Sequence, residues 1–587
     1  MTTVLGISAF FHDSAACLVR DGVVVAAASE ERFTRRKGDA AFPAEAAAWC
    51  LKVGGLTANA LDAVAFYEKP IQHLDRLFES WLYTAPRGWR AFLKGGPLWA
   101  REKLDLDGAI RRGLGGYQGK LLWCEHHESH AASAFYPSPF ERAAVLTIDG
   151  VGEWATATMG IGHGPSLQLT HELRYPDSLG LLYSACTYQA GFKVNSGEYK
   201  LMGLAPYGTP RFVNTILEHL VDVRDDGSFR LHLEPFSFVD GLTMTNARFD
   251  ALFEGPPRAP ESPITARDKD LAASVQAVTE MIVQRMVRTV TREQACRNLC
   301  LAGGVALNAV ANGTLRRDKL VDNLWVQPAA GDAGGALGAA LLAWHRWFGG
   351  ARTANGTTDG MQGALLGPQF SDDEIEAALT ADGAQFERLG RAGVVQRTAE
   401  WLANGRIVGW FDGAMEFGPR ALGARSILAD PRPADMQQRL NAHIKLREGF
   451  RPFAPVVLAD RAADYFEHIQ GDESPYMLQV VPVRREAPSL PAITHHDGSA
   501  RVQTVTAART PGLHAVLTAF AERTRCPVLV NTSFNIRGEP VVHTPSQAFA
   551  CLMRTEIDAL AIGPYFVERA SQPLLGDARW HITLEPD

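Results

Sequence analysis

Apolar residues fall in short strand-like runs from the first residues of the chain, separated by polar and glycine-containing turns. A run through Val4, Leu5 and Ile7 is followed by Ala15–Arg20 and Val23–Ala28, which flank Asp21-Gly22. Glycine tolerates the positive φ of a tight primed turn, so this pair predicts a β-hairpin. The pattern returns at 143–162, where Ala143–Ile148 leads through Asp149-Gly150 to a second apolar run, Ala155–Gly162. Two such blocks suggest an internal duplication, although strand, turn, strand is common in any α/β protein. Between them Ala44–Val53 reads as a helix, and the Trp- and Arg-rich stretch Leu77–Leu114 reads as an inserted helical region. Residues 270–295 carry apolar side chains at mixed three- and four-residue spacing, the period of an amphipathic helix. That helix leads into two glycine-rich turns from strand to helix, Leu299–Asn308 and Val326–Gly338. A Gly-, Thr- and Ala-rich stretch at 349–368 lacks apolar periodicity and predicts a domain boundary, giving domains over 1–355 and 365–587. The second domain alternates helices at Asp372–Leu379 and Val394–Asn404 with strands at Arg406–Phe411, Tyr476–Val483 and Pro527–Val530.

Length and composition agree with this organisation. A chain of 587 residues exceeds what one hydrophobic core supports, and 46% hydrophobic with 21% charged residues is a globular balance. The net charge of −7 supplies no general field for a polyanion, so no nucleic-acid partner is expected. The local cluster Arg35-Arg36-Lys37 reads as either a small phosphate site or a solvated surface. The amino terminus lacks the basic, apolar, small-residue order of a signal peptide, and no apolar run reaches the ~18 residues of a membrane helix. The eight cysteines are dispersed without a Cys-x-x-Cys pair, Cys296 and Cys300 coming closest. These features predict a soluble cytoplasmic protein with reduced thiols and no membrane partner, and they leave its oligomeric state open.

The first domain holds a candidate metal site. His126 and His130 are four apart, which on a helix puts both imidazoles on one face. Asp149 ends an apolar strand and offers a third ligand; Asp332, at the second glycine-rich turn, offers a fourth. A His2Asp2 set with open positions suits Fe(II), Mn(II) or Zn(II). An isolated His-x3-His also arises by chance, and Asp332 also fits as the cap of the following helix. Gly303, Gly304 and Asn308 would let backbone and a short polar side chain meet a nucleotide, and Lys200 in the polar loop 195–208 could meet its phosphate. His12 lies at the mouth of the first hairpin, just past a strand end, where an imidazole with a pKa near neutrality could take a proton from an attacking hydroxyl; an ordinary surface histidine fits there equally.

The second domain carries the stronger basic set. Lys445, Arg447 and Arg451 fall within seven residues, interleaved with Phe450, Pro452, Phe453 and Pro455, and Arg420 and Arg425 precede them. Ser533 and Asn535 follow the apolar strand at 528–530 and add neutral donors. Cations on one side and hydroxyl or amide groups on the other suit a small phosphate ester.

At these motifs the chain resembles the NodU/TobZ-type O-carbamoyltransferases over essentially its whole length. The resemblance rests on residues 6–16 with His12, on 126–135 with His126 and His130, on 196–208 with Lys200, on 416–427 with Arg420 and Arg425, and on 531–535. It implies an actin/Hsp70/sugar-kinase-like duplicated N-terminal domain and a YrdC-like α/β C-terminal domain, whose Lys-x-Arg and Ser-x-Asn signatures fall on Lys445, Arg447, Ser533 and Asn535. It places metal ligands, with iron the usual metal, on His126, His130, Asp149 and Asp332. His12 falls on the histidine that assists transfer, and Lys445, Arg451, Arg501 and Ser533 fall on positions that handle carbamoyl phosphate. ATP and carbamoyl phosphate are the implied co-substrates, with Mg(II) accompanying ATP, and the implied partner is a small molecule bearing the acceptor hydroxyl. Carbamoyl adenylate would form in the second domain and be consumed in the first. An ATP-dependent small-molecule kinase of the same duplicated fold and a non-catalytic nucleotide-binding protein are the alternatives. Imidazole ligands argue against the kinase, which brings magnesium with its nucleotide.

Overall fold

The computed structural model describes residues 1–90, 93–94, 105–469, 471 and 473–573. Parts of the Leu77–Leu114 stretch, residues 91–92 and 95–104, lie outside the described residues; helices Pro70–Thr84 and Leu106–Gly113 flank them. The chain divides into two units, one of residues 1–30 and 38–360 and the other of residues 31–37 and 361–587. The short segment Glu31–Lys37 therefore belongs with the second unit, where a reading by local pattern had placed it in the first domain. Local pattern registers a strand's end but not which distant backbone the following residues will bind.

The first unit contains two five-stranded sheets. One is built from β1 (Thr3–Ser8), β2 (Ala15–Arg20), β3 (Val23–Ser29), β4 (Ala63–Phe66) and β5 (Leu121–Trp123), in the order β3-β2-β1-β4-β5. The other is built from β6 (Arg142–Ile148), β7 (Ala155–His163), β8 (Ser166–Arg174), β9 (Asn298–Ala302) and β10 (Asn323–Val326), in the order β8-β7-β6-β9-β10. In each, three strands meander antiparallel and two more join in parallel beyond the first. The second sheet thus repeats the order and sense of the first, strand for strand. The turn between β2 and β3 holds Asp21 at φ 48° and Gly22 at φ 82°, as the hairpin pattern requires. β1 and Ala143–Ile148 of β6 are buried throughout, on both faces, so they read as apolar runs rather than as alternation.

A helix follows the last strand of each sheet: α1 (His126–Phe135) follows β5, and after α2 (Ala266–Glu293) α3 (Asp332–Leu342) follows β10. These two helices pack together, and α3 also packs on β1, β2 and β4. The small residues of α3 make this approach close. A Cβ at Gly338 would stand 1.8 Å from the Ser129 carbonyl oxygen of α1, and a Cβ at Gly6 of β1 would stand 1.9 Å from the Ala336 carbonyl oxygen of α3. Only hydrogen atoms fit in those spaces.

The second unit is built on one eight-stranded sheet. Its strands are β11 (Glu387–Arg388), β12 (Val408–Phe411), β13 (Arg425–Ala429), β14 (Ala454–Leu458), β15 (Gln503–Val505), β16 (Val528–Ser533), β17 (Ala559–Ile562) and β18 (Tyr565–Glu568), in the order β11-β18-β17-β12-β13-β16-β14-β15. Residues 476–483, expected as one strand, form strand only at Val480–Pro482, because Met477 takes a left-handed φ of 58° that no continuous strand accommodates. Among the described residues no helix is long and apolar enough to cross a membrane.

In an exposed helix Gly→Ala stabilises by about 1 kcal/mol. At Gly338 the sign reverses: Gly338→Ala is expected to destabilise the first unit by about 1–3 kcal/mol, the range of overpacked cores, seen as a lowered thermal midpoint.

Candidate functional site

The repeated topology brings four elements of the first unit to one point. The turn after β1 carries His12 and the turn after β6 carries Asp149, while His126 and Asp332 are the first residues of α1 and α3. Each half of the duplication thus contributes one hairpin turn and one helix start. His126 and His130, one helical turn apart, aim their Nε2 atoms at a common place, 3.0 Å from one another and 3.1 and 3.0 Å from Asp149 Oδ2. Asp332 Oδ1 lies 3.8 and 3.7 Å from the same nitrogens. Asp332 does not cap α3, whose N-cap is Gly331 without a side-chain bond.

These residues fit a divalent cation. With metal bonds of ~2.1 Å, neighbouring ligand atoms stand about 3.0–3.4 Å apart, close to the spacings observed. Two imidazole nitrogens 3.0 Å apart cannot both carry a proton between them, so at least one lone pair faces the shared point. Asp332 Oδ2 is buried with no hydrogen bond, a cost that a cation bound by this carboxylate offsets. Among the described residues this is the one group of His, Cys, Asp and Glu with such convergence.

The electrostatics of the cluster are those of carboxylates held beside imidazoles. Burial opposes charge on Asp149, yet hydrogen bonds from His126 and His130 hold it well below the usual carboxylate range. Burial likewise disfavours protonated His130, but Asp149 and Asp332 push it up to about 9. His12 Nε2 lies 3.7 Å from Asp332 Oδ2 and its Nδ1 lies 3.0 Å from Asp13 Oδ2. Against its burial, these carboxylates raise it to about 10. A cation on the cluster cancels much of that rise by engaging the Asp332 charge.

The first glycine-rich turn has a different use from the one its sequence suggests. Gly303 takes φ 89°, and a Cβ there would stand 2.2 Å from the Ile148 carbonyl oxygen. Gly304 N–H donates to Asp149 Oδ1 at 3.1 Å, and Gly150 N–H donates to the same oxygen at 2.8 Å. The turn therefore holds a cluster carboxylate. Asn308, expected to face a nucleotide, is buried and exchanges amide hydrogen bonds with Gln276 of α2 at 3.0 and 3.1 Å while capping the helix that follows. Lys200 is buried on the helix Glu198–Leu204, its ammonium 5.7 Å above the Phe192 ring.

Sequence reasoning missed the groups that hold the cluster in place. Buried Glu153, four residues past Asp149, accepts the backbone N–H of Lys69 at 2.7 Å and of His126 at 3.0 Å. It thereby joins the Asp149 turn to the start of α1. Arg76 donates to Gly152 O at 2.9 Å and to His73 Nε2 at 2.7 Å, and His73 Nδ1 lies 3.1 Å from Glu68 Oε2. The Gly-Glu step after Asp149 was the available signal, but a lone acid in a turn does not show which backbone it will serve.

In the second unit the Lys-x-Arg and Ser-x-Asn residues meet. A short helix at Met436–Arg439 widens into a π-type turn over Leu440–Lys445 and ends at Leu446, which takes φ 51°. This turn delivers Lys445 Nζ, buried, to Asn535 Oδ1 at 2.8 Å, Asn535 O at 3.1 Å, Ser533 Oγ at 3.2 Å and the Ser533 carbonyl. Burial and the adjacent Arg447 charge push Lys445 well below the usual lysine range. Arg447 Nε donates to Asn441 Oδ1 at 2.7 Å and its guanidinium lies 4.8 Å over the Phe453 ring, while Arg451 lies 3.6 Å from Glu448. Burial, followed by the charges of Arg420, Arg447 and Arg451, drives Arg501 well below the usual arginine range. The structure thus gathers Arg420, Arg447 and Arg451 within electrostatic reach of Arg501, and Arg447 and Arg451 within reach of Lys445, an arrangement that a multiply charged anion stabilises.

Arg425 departs from the expectation that it handles the anion. It is fully buried, donates to the carbonyls of Asp412, Gly413, Ala424 and Pro368 at 3.3, 3.1, 3.0 and 3.1 Å, and lies 3.5 Å over the Phe411 ring. Its Nη1 and Nη2 donors bind backbone. Arg35 also departs from both of its readings, because its guanidinium bonds the carbonyls of Pro540 and Val541.

Comparison with known proteins agrees with the motifs. The family model described as Carbamoyltransferase N-terminus matches residues 3–341, and that described as Carbamoyltransferase C-terminus matches residues 399–569. The chain is 50% identical to the uncharacterized protein sll1178 of Synechocystis sp. over the whole of both chains. It is 38% identical to nodulation protein NolNO of Sinorhizobium fredii over 98% of this chain and 82% of that protein. It is also 39% identical to nodulation protein NolO of Bradyrhizobium diazoefficiens over 76% of this chain and 78% of that protein. With both terminal models matched and the motif residues in place, the chain belongs to the NodU/TobZ-type carbamoyltransferase family.

Proposed function

We propose that this protein is an ATP-dependent O-carbamoyltransferase that makes carbamoyl adenylate from carbamoyl phosphate and ATP and passes the carbamoyl group to a hydroxyl of a small natural-product or sugar acceptor. The observation that carries this reading is the presence, in one carbamoyltransferase-family chain, of two chemically opposite sites: a His2Asp2 cluster and a buried lysine with converging arginines. The repeated sheet order supports an actin/Hsp70/sugar-kinase-like first unit, and the Lys445 to Asn535 contact supports a YrdC-like second unit.

In the second unit Arg420, Arg447, Arg451 and Arg501 bind the phosphates, and Lys445, fixed by Ser533 and Asn535, meets the anion at the reacting end. Carbamoyl phosphate is hydrolysed there to carbamate and phosphate, and a carbamate oxygen then attacks the α-phosphorus of ATP, expelling pyrophosphate. The cations neutralise charge as it moves to the leaving phosphates. In the first unit His126, His130, Asp149 and Asp332 hold the divalent metal, for which we propose Fe(II), with Mg(II) accompanying ATP. Bound there, the metal supplies Lewis acidity. His12, oriented by Asp13, takes the proton of the acceptor hydroxyl, whose oxygen bonds to the carbamoyl carbon as AMP leaves. Enclosing the adenylate protects it from hydrolysis.

With carbamoyl phosphate, ATP and a hydroxylated acceptor, the products are expected to be AMP, pyrophosphate, phosphate and the carbamate ester; ADP would instead mark a kinase, and no turnover a binding protein. His130→Ala is expected to abolish transfer while keeping carbamoyl-phosphate-dependent ATP cleavage. Lys445→Ala is expected to lower that cleavage by about 10²-fold or more, as pyrophosphate release measures. Elemental analysis is expected to find a transition metal on the wild type and not on His130→Ala. A wild type with no such metal, unaffected by added Fe(II), would remove the metal assignment.

A further inference from the structure

The segment Glu31–Lys37 follows the first hairpin of the chain but packs in the second unit. Its side chains reach the two loops that carry the phosphate-handling residues. Arg32 Nη2 donates to Gly418 O at 3.0 Å, across 386 positions of sequence. Gly418 lies in the loop of Arg420, which wraps around Glu416, whose Oε1 accepts the N–H of Leu422 and Ala424 at 2.8 and 2.7 Å. Arg35 donates with Nη1 to Val541 O at 2.6 Å and with Nη2 to Pro540 O at 2.7 Å. Between these arginines the Phe33 ring meets His543 edge-on at 4.7 Å.

The Arg35 contact is two hydrogen bonds from the reacting end of the site. Lys445 Nζ bonds Asn535 Oδ1 at 2.8 Å, and Asn535 Nδ2 donates to Glu539 O at 2.7 Å. The carbonyls that Arg35 holds are the next two in the chain. Val542 N–H closes the same loop on Phe534 O at 2.9 Å. A guanidinium binds two successive carbonyls as a planar fork, which fixes the direction of the loop as well as its distance; an ammonium is a point donor without that fork.

We propose that Glu31–Lys37 is a strap that sets the phosphate site of the second unit, with Arg35 the positioning residue for the Ser533, Asn535 and Lys445 cluster and Arg32 the positioning residue for the loop of Arg420. The proposal rests on reading that unit as the site of carbamoyl-phosphate activation. Both arginines act through the backbone carbonyls they bind. Residues early in the chain, outside the second unit's main sequence block, thereby become part of its active geometry.

The test uses the full-length protein, with the KM for carbamoyl phosphate read from pyrophosphate release. Arg35→Ala is expected to raise that KM by about tenfold or more, as small displacements of positioned groups do, while the metal content of the protein stays that of the wild type. Arg35→Lys is expected to fall between the two, because a point donor restores only part of the hold. Wild-type KM and rate in both variants would overturn the proposal. If Arg35→Ala does not fold, Arg35→Lys decides by the same KM. If the wild type itself shows no carbamoyl-phosphate-dependent cleavage, the proposed function fails. The strap is then judged by titrating inorganic pyrophosphate into wild type and Arg35→Lys in a calorimeter: weaker binding by the variant supports it and equal binding overturns it.

Discussion

The packing of α3 against α1 through Gly338 is the contact on which the first unit's chemistry depends. Both helices begin with a residue of the cluster, so the separation of their axes sets the distance from Asp332 to His126 and His130. A side chain at Gly338 would collide with the Ser129 carbonyl, between the two imidazole-bearing positions of α1 in sequence. The same helix meets β1 at Gly6, and β1 leads into the turn of His12. One close approach therefore places residues from both halves of the duplication around a single point, and Glu153 and Arg76 hold the remaining turn to the same frame.

The two units solve opposite electrostatic problems with the same means. In the first, buried carboxylates are kept charged by imidazoles and call for a cation. In the second, buried Lys445 and Arg501 are pushed toward neutrality by burial and by neighbouring guanidinium charges, and they call for an anion. Removing water strengthens both fields, because interaction energies rise as the local dielectric falls. The contrast between Arg425 and Arg501 shows how burial alone fails to mark function. Both are driven below the usual arginine range, but Arg425 binds four backbone carbonyls, whereas Arg501 lies in the field of Arg420, Arg447 and Arg451.

The strap of Glu31–Lys37 and the carboxylate of Glu153 have a common logic. In each a charged side chain binds backbone groups of a distant loop, so the loop that presents the reacting residues is fixed without giving up those residues' own side chains. Such bonds are stronger than neutral ones and leave the site free to meet its ligand.

By itself the amino-acid sequence determined what depends on neighbours along the chain. The hairpin at Asp21-Gly22, the His126 and His130 face, the apolar strand ending at Asp149 and the motif loops of the second unit were all legible, since turn chemistry and periodicity act over a few residues. Asp332 was legible as a candidate ligand, although its alternative as a helix cap was closed only by geometry. Tertiary structure alone decided the rest. It assigned Asn308 to Gln276, Arg425 to carbonyls and Arg35 to the loop at 540–541, and it held the strand expected from Tyr476 back to Val480. Polar side chains such as these must satisfy donors and acceptors wherever burial places them, and the partner, hundreds of positions away, is chosen by packing rather than by spacing.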